Sequence, residues 1–167
     1  MGLPKSKEMQ KTNIKAVKER LDAYRDGERD IENLTEALER IKAKLEGVGA
    51  QEITDLPKSP SPPTDRMSDM IAQKIELEEE LQACISFHRQ ERDFINGVLR
   101  KMKSADEKSV IRLRYMIGLS WYDVTDSMFG ARKDYLRKEE SYLRRVFIVH
   151  GRALEHIADI DQNARIS

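Results

Sequence analysis

The sequence predicts an all-α protein in which two long, coiled-coil-like helices are followed by a C-terminal helix-turn-helix domain. Apolar residues recur at steps of three and four along two segments of about forty residues each, which is the pattern of long amphipathic helices. Most of the prolines fall between those segments, and two serine-led capping motifs open shorter helices after them. Charged residues make up 36% of the chain, a share that suits helices with much solvated surface.

The first long helix is predicted within residues 1–46, from about Lys7 to Glu46. Its apolar stripe consists of Ile14, Val17, Leu21, Tyr24, Ile31, Leu34, Leu38, Ile41 and Leu45. The spacing slips near Gly27, which predicts a local kink or overwinding there. A helix of this length extends ~60 Å, so its stripe needs a partner helix to cover it.

Residues 47–66 are predicted to form a linker or long loop, because they combine glycine and serine with all the prolines except Pro4. The second long helix is predicted over residues 67–103, where a four-three alternation runs from Met67 to Met102. Its broad apolar face can cover the first helix. The two helices are therefore expected to form either a hairpin within one chain or a dimeric coiled coil.

Residues 104–167 are predicted to fold as a helix-turn-helix domain. Two capping boxes, S-x-x-E at residues 104–107 and S-x-x-D at residues 120–123, mark the starts of two short helices. Those helices stop at Gly118 and Gly130. The connection between them is short enough to hold the helices at a steep angle, as in a helix-turn-helix unit.

A recognition helix is predicted to follow from Ser141, which can cap its N-terminus. Its inner face consists of Leu143, Val146, Val149, Ala153, Leu154 and Ile157. Its outer face consists of Tyr142, Arg144, Arg145, Ile148 and Arg152. Between the preceding helix and this one, residues 131–140 form an insertion that is expected to be either an additional half-helix or a basic wing.

The charge pattern predicts that this region binds double-stranded DNA. From Met128 to Arg152, seven basic residues stand against three acidic ones, a balance of plus four in a chain whose net charge is +0. Arginines near the N-terminal end of a recognition helix can reach phosphates and base edges in a major groove. The predicted DNA-binding residues are Arg132, Lys133, Arg137, Lys138, Ser141, Tyr142, Arg144, Arg145, Ile148 and Arg152.

Three further side chains have expected roles near this surface. Trp121 is expected to pack in the core, because its spacing to the apolar residues that follow is helical. His150 is expected to pack at the end of the inner face, to bind phosphate, or to do both. Arg114 is expected to contact the DNA backbone or to pair internally with Glu107 or Asp123.

The sequence carries no pattern typical of an enzyme or a metal centre. Its three histidines lack the four-residue spacing of a zinc pair, and it has neither a Cys-x-x-Cys motif nor a glycine-rich phosphate loop. We therefore expect a non-enzymatic protein that uses no cofactor or metal. Cys84 is the single cysteine, which suits a reducing cytoplasm, and no apolar run is long enough to span a membrane.

Two stretches of the predicted helix-turn-helix domain, "SVIRLRYMIGLSWYDVTDSMF" and "VFIVHGRAL", resemble the ArpU-type (RinA-like) transcriptional regulators of temperate phages of Gram-positive bacteria. The resemblance spans roughly Met67 to Ile157. The helix-turn-helix of that family is similar to the promoter-reading region four of sigma factors. The resemblance implies control of phage late genes by binding promoter DNA in the cytoplasm of the bacterial host, with host RNA polymerase as a possible further partner.

Two function classes remain open on the residues alone. The first is a sequence-specific transcription regulator that dimerises through its long helices, so that two recognition helices meet half-sites about one helical turn apart. The second is a DNA-packaging protein of the terminase small-subunit type. A dimer favours the first class, and a ring of eight or more subunits favours the second. A coiled-coil adaptor that does not bind DNA is a weaker third alternative.

Overall fold

The computed structural model describes residues 3–51 and 63–166, and the regular secondary structure in those two ranges is entirely helical. Five α-helices follow in chain order: α1 (Leu3–Gln51), α2 (Pro63–Lys101), α3 (Ala105–Ile111), α4 (Trp121–Phe129) and α5 (Tyr135–Ile166). Helix α3 continues directly into a π-helical turn, Arg112–Met116. The all-α prediction is confirmed. Within the described ranges, no helix combines the length and apolar character that a membrane span needs.

The ends of the long helices differ from the boundaries that the sequence predicted. Helix α1 continues past Glu46 to Gln51, and α2 begins at Pro63 rather than at Met67. Helix α1 continues through the glycines near its end because a glycine inside a helix costs only about 1 kcal/mol. Helix α2 can begin at a proline because the missing N–H of that residue would have no partner at the first helical position. The rest of the predicted linker, residues 52–62, lies outside the described residues.

Packing divides the chain into two compact units. The bundle unit comprises Met1–Asp26 and Gln90–Ser167, and the hairpin unit comprises Gly27–Arg89. Parts of both long helices belong to each unit. The bundle unit therefore joins the predicted helix-turn-helix domain to the beginning of α1 and the end of α2.

In the hairpin unit, α1 and α2 pair within one chain, which is the first of the two predicted alternatives. The Nζ atom of Lys42 lies 3.8 Å from Oε1 of Glu78 across the pair. A Cβ atom on Gly27 would stand 3.1 Å from the Cδ2 atom of His88, so the glycine makes room for the imidazole. Helix α1 remains helical through Gly27, where the sequence predicted a local kink or overwinding.

The core of the hairpin unit is thin. Among its described apolar residues, Leu38 alone is buried, with 7% of its surface exposed. Along one line of α2, Met67, Ile71 and Ile75 are 37%, 43% and 50% exposed. Two helices alone offer little surface for covering such side chains, so an apolar line stays open to solvent.

In the bundle unit, the beginning of α1 and the end of α2 pack against α3, the π-helical turn and the second half of α5. Arg20 of α1 donates from Nε and Nη2 to the carboxylate of Glu91 in α2, at 2.8 and 2.9 Å. Its guanidinium also lies 3.6 Å from the centroid of the Phe94 ring. The buried Glu91 thus has the bidentate partner that a buried carboxylate requires.

A second cluster in this unit, here called the helix-turn-helix core, joins α3, α4 and α5. Its buried members are Val110, Val124, Phe129, Tyr135 and Val146. The inner face of α5 agrees with the prediction, since its six residues are buried or half-buried: Leu143, Val146, Val149, Ala153, Leu154 and Ile157. One face of α5 is therefore fixed by packing along much of its length.

Serine caps begin α3 and α4, as the sequence predicts. Ser104 Oγ accepts a hydrogen bond from the backbone N–H of Glu107 at 3.3 Å. Ser120 Oγ accepts one from the N–H of Asp123 at 3.2 Å and donates to the Asp123 carboxylate. Between the two helices, Gly118 has a φ of +80°, a conformation that a side chain would strain. The tight turn therefore depends on this glycine.

Helix α5 begins earlier than predicted and is interrupted once. It starts at Tyr135, and Lys138 has non-helical angles, φ −126° and ψ 22°. The single turn before that kink, residues 135–137, is here called the half-helix, and it is the first of the two predicted alternatives for the insertion. Ser141 lies inside α5, so its predicted capping role is wrong. The helix starts earlier because Tyr135 packs into the helix-turn-helix core.

Candidate nucleic-acid interface

Helix α4 lies across α5 and holds it in place through aromatic contacts at both of its ends. The Trp121 ring centroid lies 5.0 Å from that of Phe147 and 4.8 Å from that of His150. At the other end of α4, Phe129 stacks on Tyr142 at 5.0 Å. Trp121 therefore serves packing, as the sequence predicts, and α4 fixes the stretch of α5 from 142 to 150.

His150 is the buried polar group behind this contact. Its Nε2 atom lies 2.8 Å from the hydroxyl of Tyr115 in the π-helical turn. Burial, with the nearby cations Lys18 and Arg114, lowers the pKa of His150 to about 4. Burial and Asp22 raise the pKa of Tyr115 to about 12. Both side chains are neutral at pH 7, so of the two roles predicted for His150 the structure supports packing.

Arg114 closes the turn between α3 and α4. Its Nη1 atom donates to the carbonyl oxygen of Leu119 at 2.7 Å, and its guanidinium carbon lies 4.8 Å from the centroid of the Trp121 ring. The predicted internal pairing with Glu107 or Asp123 is wrong. The Glu107 carboxylate instead contacts His156 of α5, and the Asp123 carboxylate contacts Ser120, the cap of α4.

The outer face of α5 carries exposed side chains at the spacing that the sequence predicted. Arg144, Ile148 and Arg152 follow one another at four-residue steps, and all three are exposed. Arg145 is exposed beside them, with its guanidinium carbon 5.1 Å from the centroid of the Phe129 ring. These four residues form an exposed, mostly basic face of α5, and Arg145 also contacts the helix-turn-helix core through Phe129.

Tyr142 does not belong to that outer face, and its predicted position is wrong. The ring is half-buried and packs between Phe129 and Tyr135, with centroid distances of 5.0 and 5.8 Å. Its hydroxyl donates to Asp134 Oδ1 at 2.8 Å. The reason is that α5 begins early, which brings Asp134 and Tyr135 within reach of Tyr142, while Phe129 of α4 stacks on its ring.

Asp134 connects the half-helix to the main part of α5. Its Oδ2 atom lies 2.9 Å from Lys138 Nζ, while Oδ1 accepts from Tyr142. These two hydrogen bonds lower the pKa of Asp134, and the bonds to Asp134 raise the pKa of both Lys138 and Tyr142. Lys138 is therefore held in its charged form in an ion pair with Asp134.

The other basic residues of the insertion lie open to solvent. Arg132, Lys133 and Arg137 are exposed. In the described part of the chain, the ion pairs of this region are Lys138–Asp134 and Arg144–Glu140, the second at 3.7 Å between side chains that are 80% and 90% exposed. An exposed pair of that kind contributes little. The insertion and the outer face of α5 together form a basic surface, here called the basic strip.

Helix α4 presents a different surface. Its exposed side chains include Tyr122, Asp123 and Asp126, two of which are acidic. Phosphates would be repelled by that helix and attracted by α5. Of the two helices that follow the turn at Gly118, α5 is therefore the one whose charge fits a nucleic acid.

Sequence reasoning missed two residues of this region. Tyr135 is 7% exposed and anchors the half-helix in the core, whereas its neighbour Leu136 is 91% exposed. The seven-residue spacing from Tyr135 to Tyr142 is a helical repeat that could have indicated the earlier start of α5. No pattern in the sequence distinguishes the exposed leucine from a buried one.

No group of three histidine, cysteine or acidic side chains among the described residues is arranged to hold a metal ion. Comparisons of the chain with protein-family models, with curated proteins and with solved structures found no match.

Proposed function

We propose that the protein is a DNA-binding transcriptional regulator that reads promoter DNA through the helix-turn-helix formed by α3, α4 and α5. One observation carries the proposal. The outer face of α5 and the insertion before it present exposed basic side chains, while the inner face of the same helix is buried in a core. A rigid helix with a basic, solvent-exposed face is suited to the major groove of DNA.

The charge of the basic strip supports contact with phosphates. Arg132, Lys133 and Arg137 are exposed and take no part in the ion pairs described for this region. Each cation that neutralises a phosphate releases condensed counterions, so binding weakens steeply with salt. These three residues supply the affinity that does not depend on base sequence.

The position of Arg144 and Arg145 supports contact with bases. Both are exposed within the second turn of α5 after the kink at Lys138, and a recognition helix enters the groove by its N-terminal turns. An arginine in that position forms bidentate hydrogen bonds with the O6 and N7 atoms of guanine. These two residues supply the sequence-dependent part of binding.

The biological assignment follows the resemblance to the ArpU-type regulators. On that basis we propose a non-enzymatic phage or prophage protein that activates late genes in the cytoplasm of its bacterial host. Host RNA polymerase is the further partner, since the family helix-turn-helix is similar to region four of sigma factors. The order of a glycine-terminated helix, a capped short helix and a basic helix supports this assignment.

The hairpin unit supports dimerisation as part of the proposal. Met67, Ile71 and Ile75 lie at four-residue steps and are exposed, so one apolar line of α2 is open to a second copy of the chain. Light scattering after size exclusion should give the mass of two chains, and Ile71→Glu with Ile75→Glu should give the mass of one. A ring of eight or more subunits would contradict the dimer and favour a packaging protein.

The function is tested by fluorescence anisotropy of the full chain on DNA. Sites are first selected from a random double-stranded library, and binding to the selected site is then compared with binding to scrambled DNA from low to physiological salt. We expect the affinity for the selected site to exceed the affinity for scrambled DNA by ~10³-fold or more. Equal, weak binding to both sequences would contradict the proposal.

A further inference from the structure

Leu136 is the most exposed of the large hydrophobic residues in the described part of the chain, at 91%. A single exposed leucine is ordinary on a protein surface, so exposure alone assigns it no role. Two features of its surroundings set it apart. It stands on a segment that is firmly anchored, and between residues 132 and 144 five exposed cations stand against two exposed carboxylates.

The anchoring comes from its neighbours in the chain. Tyr135 is buried in the helix-turn-helix core, which fixes the half-helix from one side. Asp134 bonds to Lys138 at 2.9 Å and to the hydroxyl of Tyr142 at 2.8 Å, which ties the half-helix to the main part of α5. Leu136 is therefore held out from the surface by a defined backbone and is not part of a frayed end.

The surrounding charge identifies the chemistry of the occupant. Arg132, Lys133 and Arg137 are exposed on the same segment. A shallow groove at the kink is lined by Leu136, by the cations Arg137, Lys138 and Arg144, and by Glu139, Glu140 and Ser141. An apolar protein surface would gain nothing from these cations. A polyanion that also offers an apolar group between its charges would satisfy both, and double-stranded DNA is such a ligand.

We propose that Leu136 contacts thymine C5-methyl groups in the major groove and thereby specifies thymine at one or two positions of the DNA site. The thymine methyl is the apolar group that base edges offer in that groove. A leucine side chain has no hydrogen-bond donor or acceptor, so it can contact that methyl but cannot read the polar groups of the bases. Apolar wedges that enter the minor groove are a different device. The location of Leu136 on the leading turn of α5 favours the major groove. The inference depends on the proposed DNA-binding function.

The test replaces single thymines by uracil in the site selected by the wild-type protein. This change removes the methyl group and keeps the base pairing. We expect uracil to weaken wild-type binding about four-fold for each contacted methyl, at one or two positions. Leu136→Ala should bind the thymine and uracil sites equally at those positions, at the affinity that the wild type has for uracil.

The matched control is Ile117→Ala, which shortens another exposed apolar side chain, 63% exposed, in the turn between α3 and α4. This variant should keep the thymine preference. Thermal unfolding of Leu136→Ala should match the wild type, because its side chain contacts almost nothing.

The possible failures are distinguishable. If the wild type selects a site but discriminates no thymine from uracil, or if Leu136→Ala keeps the full discrimination, the assignment of Leu136 is overturned while the proposed function stands. If Leu136→Ala lowers affinity equally on both DNAs and abolishes a bend in the DNA, the leucine is a wedge and the assignment is again overturned. If no site can be selected, the proposed function fails and this inference fails with it.

Discussion

The two faces of α5 belong to one helix but have opposite chemistry. On the inner face, Val146 and Ile157 have no exposed surface and pack in two separate clusters of the bundle unit. On the outer face, Arg144, Ile148 and Arg152 are exposed at regular steps. The inner face is buried against α1, α3 and α4, whereas the outer face makes few contacts within the chain.

This difference separates stability from binding. Because the inner face fixes the helix, the outer side chains are free to contact a ligand without contributing to the fold. Substitutions on the inner face should lower the free energy of unfolding, and substitutions on the outer face should change DNA affinity alone.

The first prediction compares two isoleucines on opposite faces. Ile157→Ala, at 0% exposure, should destabilise the protein by about 2–5 kcal/mol, because it removes buried methyl groups and leaves a cavity. Ile148→Ala, at 57% exposure, should change stability by less than about 0.5 kcal/mol. Urea unfolding measures both. A large loss of stability in Ile148→Ala would show that the outer face also supports the fold.

The second prediction concerns the pH dependence that His150 gives to the inner face. Its pKa is lowered from 6.5 to about 4, so between those values the unfolded state binds a proton that the folded state does not. Stability should therefore fall as the pH drops from 6.5 to 4, by on the order of 3 kcal/mol. His150→Gln should lack this loss of stability between pH 6.5 and 4. If the free energy of unfolding depends on pH in the same way in both proteins, the prediction is contradicted.

The third prediction distinguishes base contacts from phosphate contacts within the basic strip. Arg144→Ala should weaken binding to the selected site by about 1–3 kcal/mol and relax its specificity at one position. Arg137→Ala should weaken binding to all sequences alike and reduce the salt slope by about one unit. Anisotropy on selected and scrambled DNA measures both. Identical behaviour of the two variants on the two DNAs would remove the assignment of Arg144 to base reading.

The smallest effect is expected at the junction of the two faces. Tyr142→Phe keeps the ring stacked on Phe129 but removes the hydrogen bond to Asp134. The half-helix should then open more often, and its amide hydrogens should exchange faster by less than about five-fold. Exchange in α4 serves as the internal control. Unchanged exchange in residues 135–137 would show that this bond does not hold the half-helix.

The sequence was sufficient for the parts of the fold that depend on local pattern. Apolar spacing predicted the long helices and the inner face of α5, and serine caps marked the starts of α3 and α4. Ser141 shows where local pattern is insufficient. It has the right residue type for a cap, but a tyrosine six positions earlier finds a place in the core and starts the helix sooner.

At the candidate site, the exposure of the basic side chains could be predicted from the sequence better than their contacts could. Exposed arginines and lysines follow from composition and helical spacing. Tyr142 was misassigned because its partners, Asp134 and Phe129, become neighbours only through the early start of α5 and the packing of α4 against it. The bond between Tyr115 and His150 joins residues far apart in the chain, and no spacing rule predicts such a pair.

The most direct test of the basic strip is the salt dependence of DNA binding by two triple variants of equal charge change. Replacing Arg132, Lys133 and Arg137 by alanine should lower the slope of log affinity against log salt by about three units. Replacing three exposed cations elsewhere, Lys11, Arg29 and Lys44, should leave that slope unchanged. If both triple variants lower the slope equally, the insertion before α5 is not where the protein holds DNA.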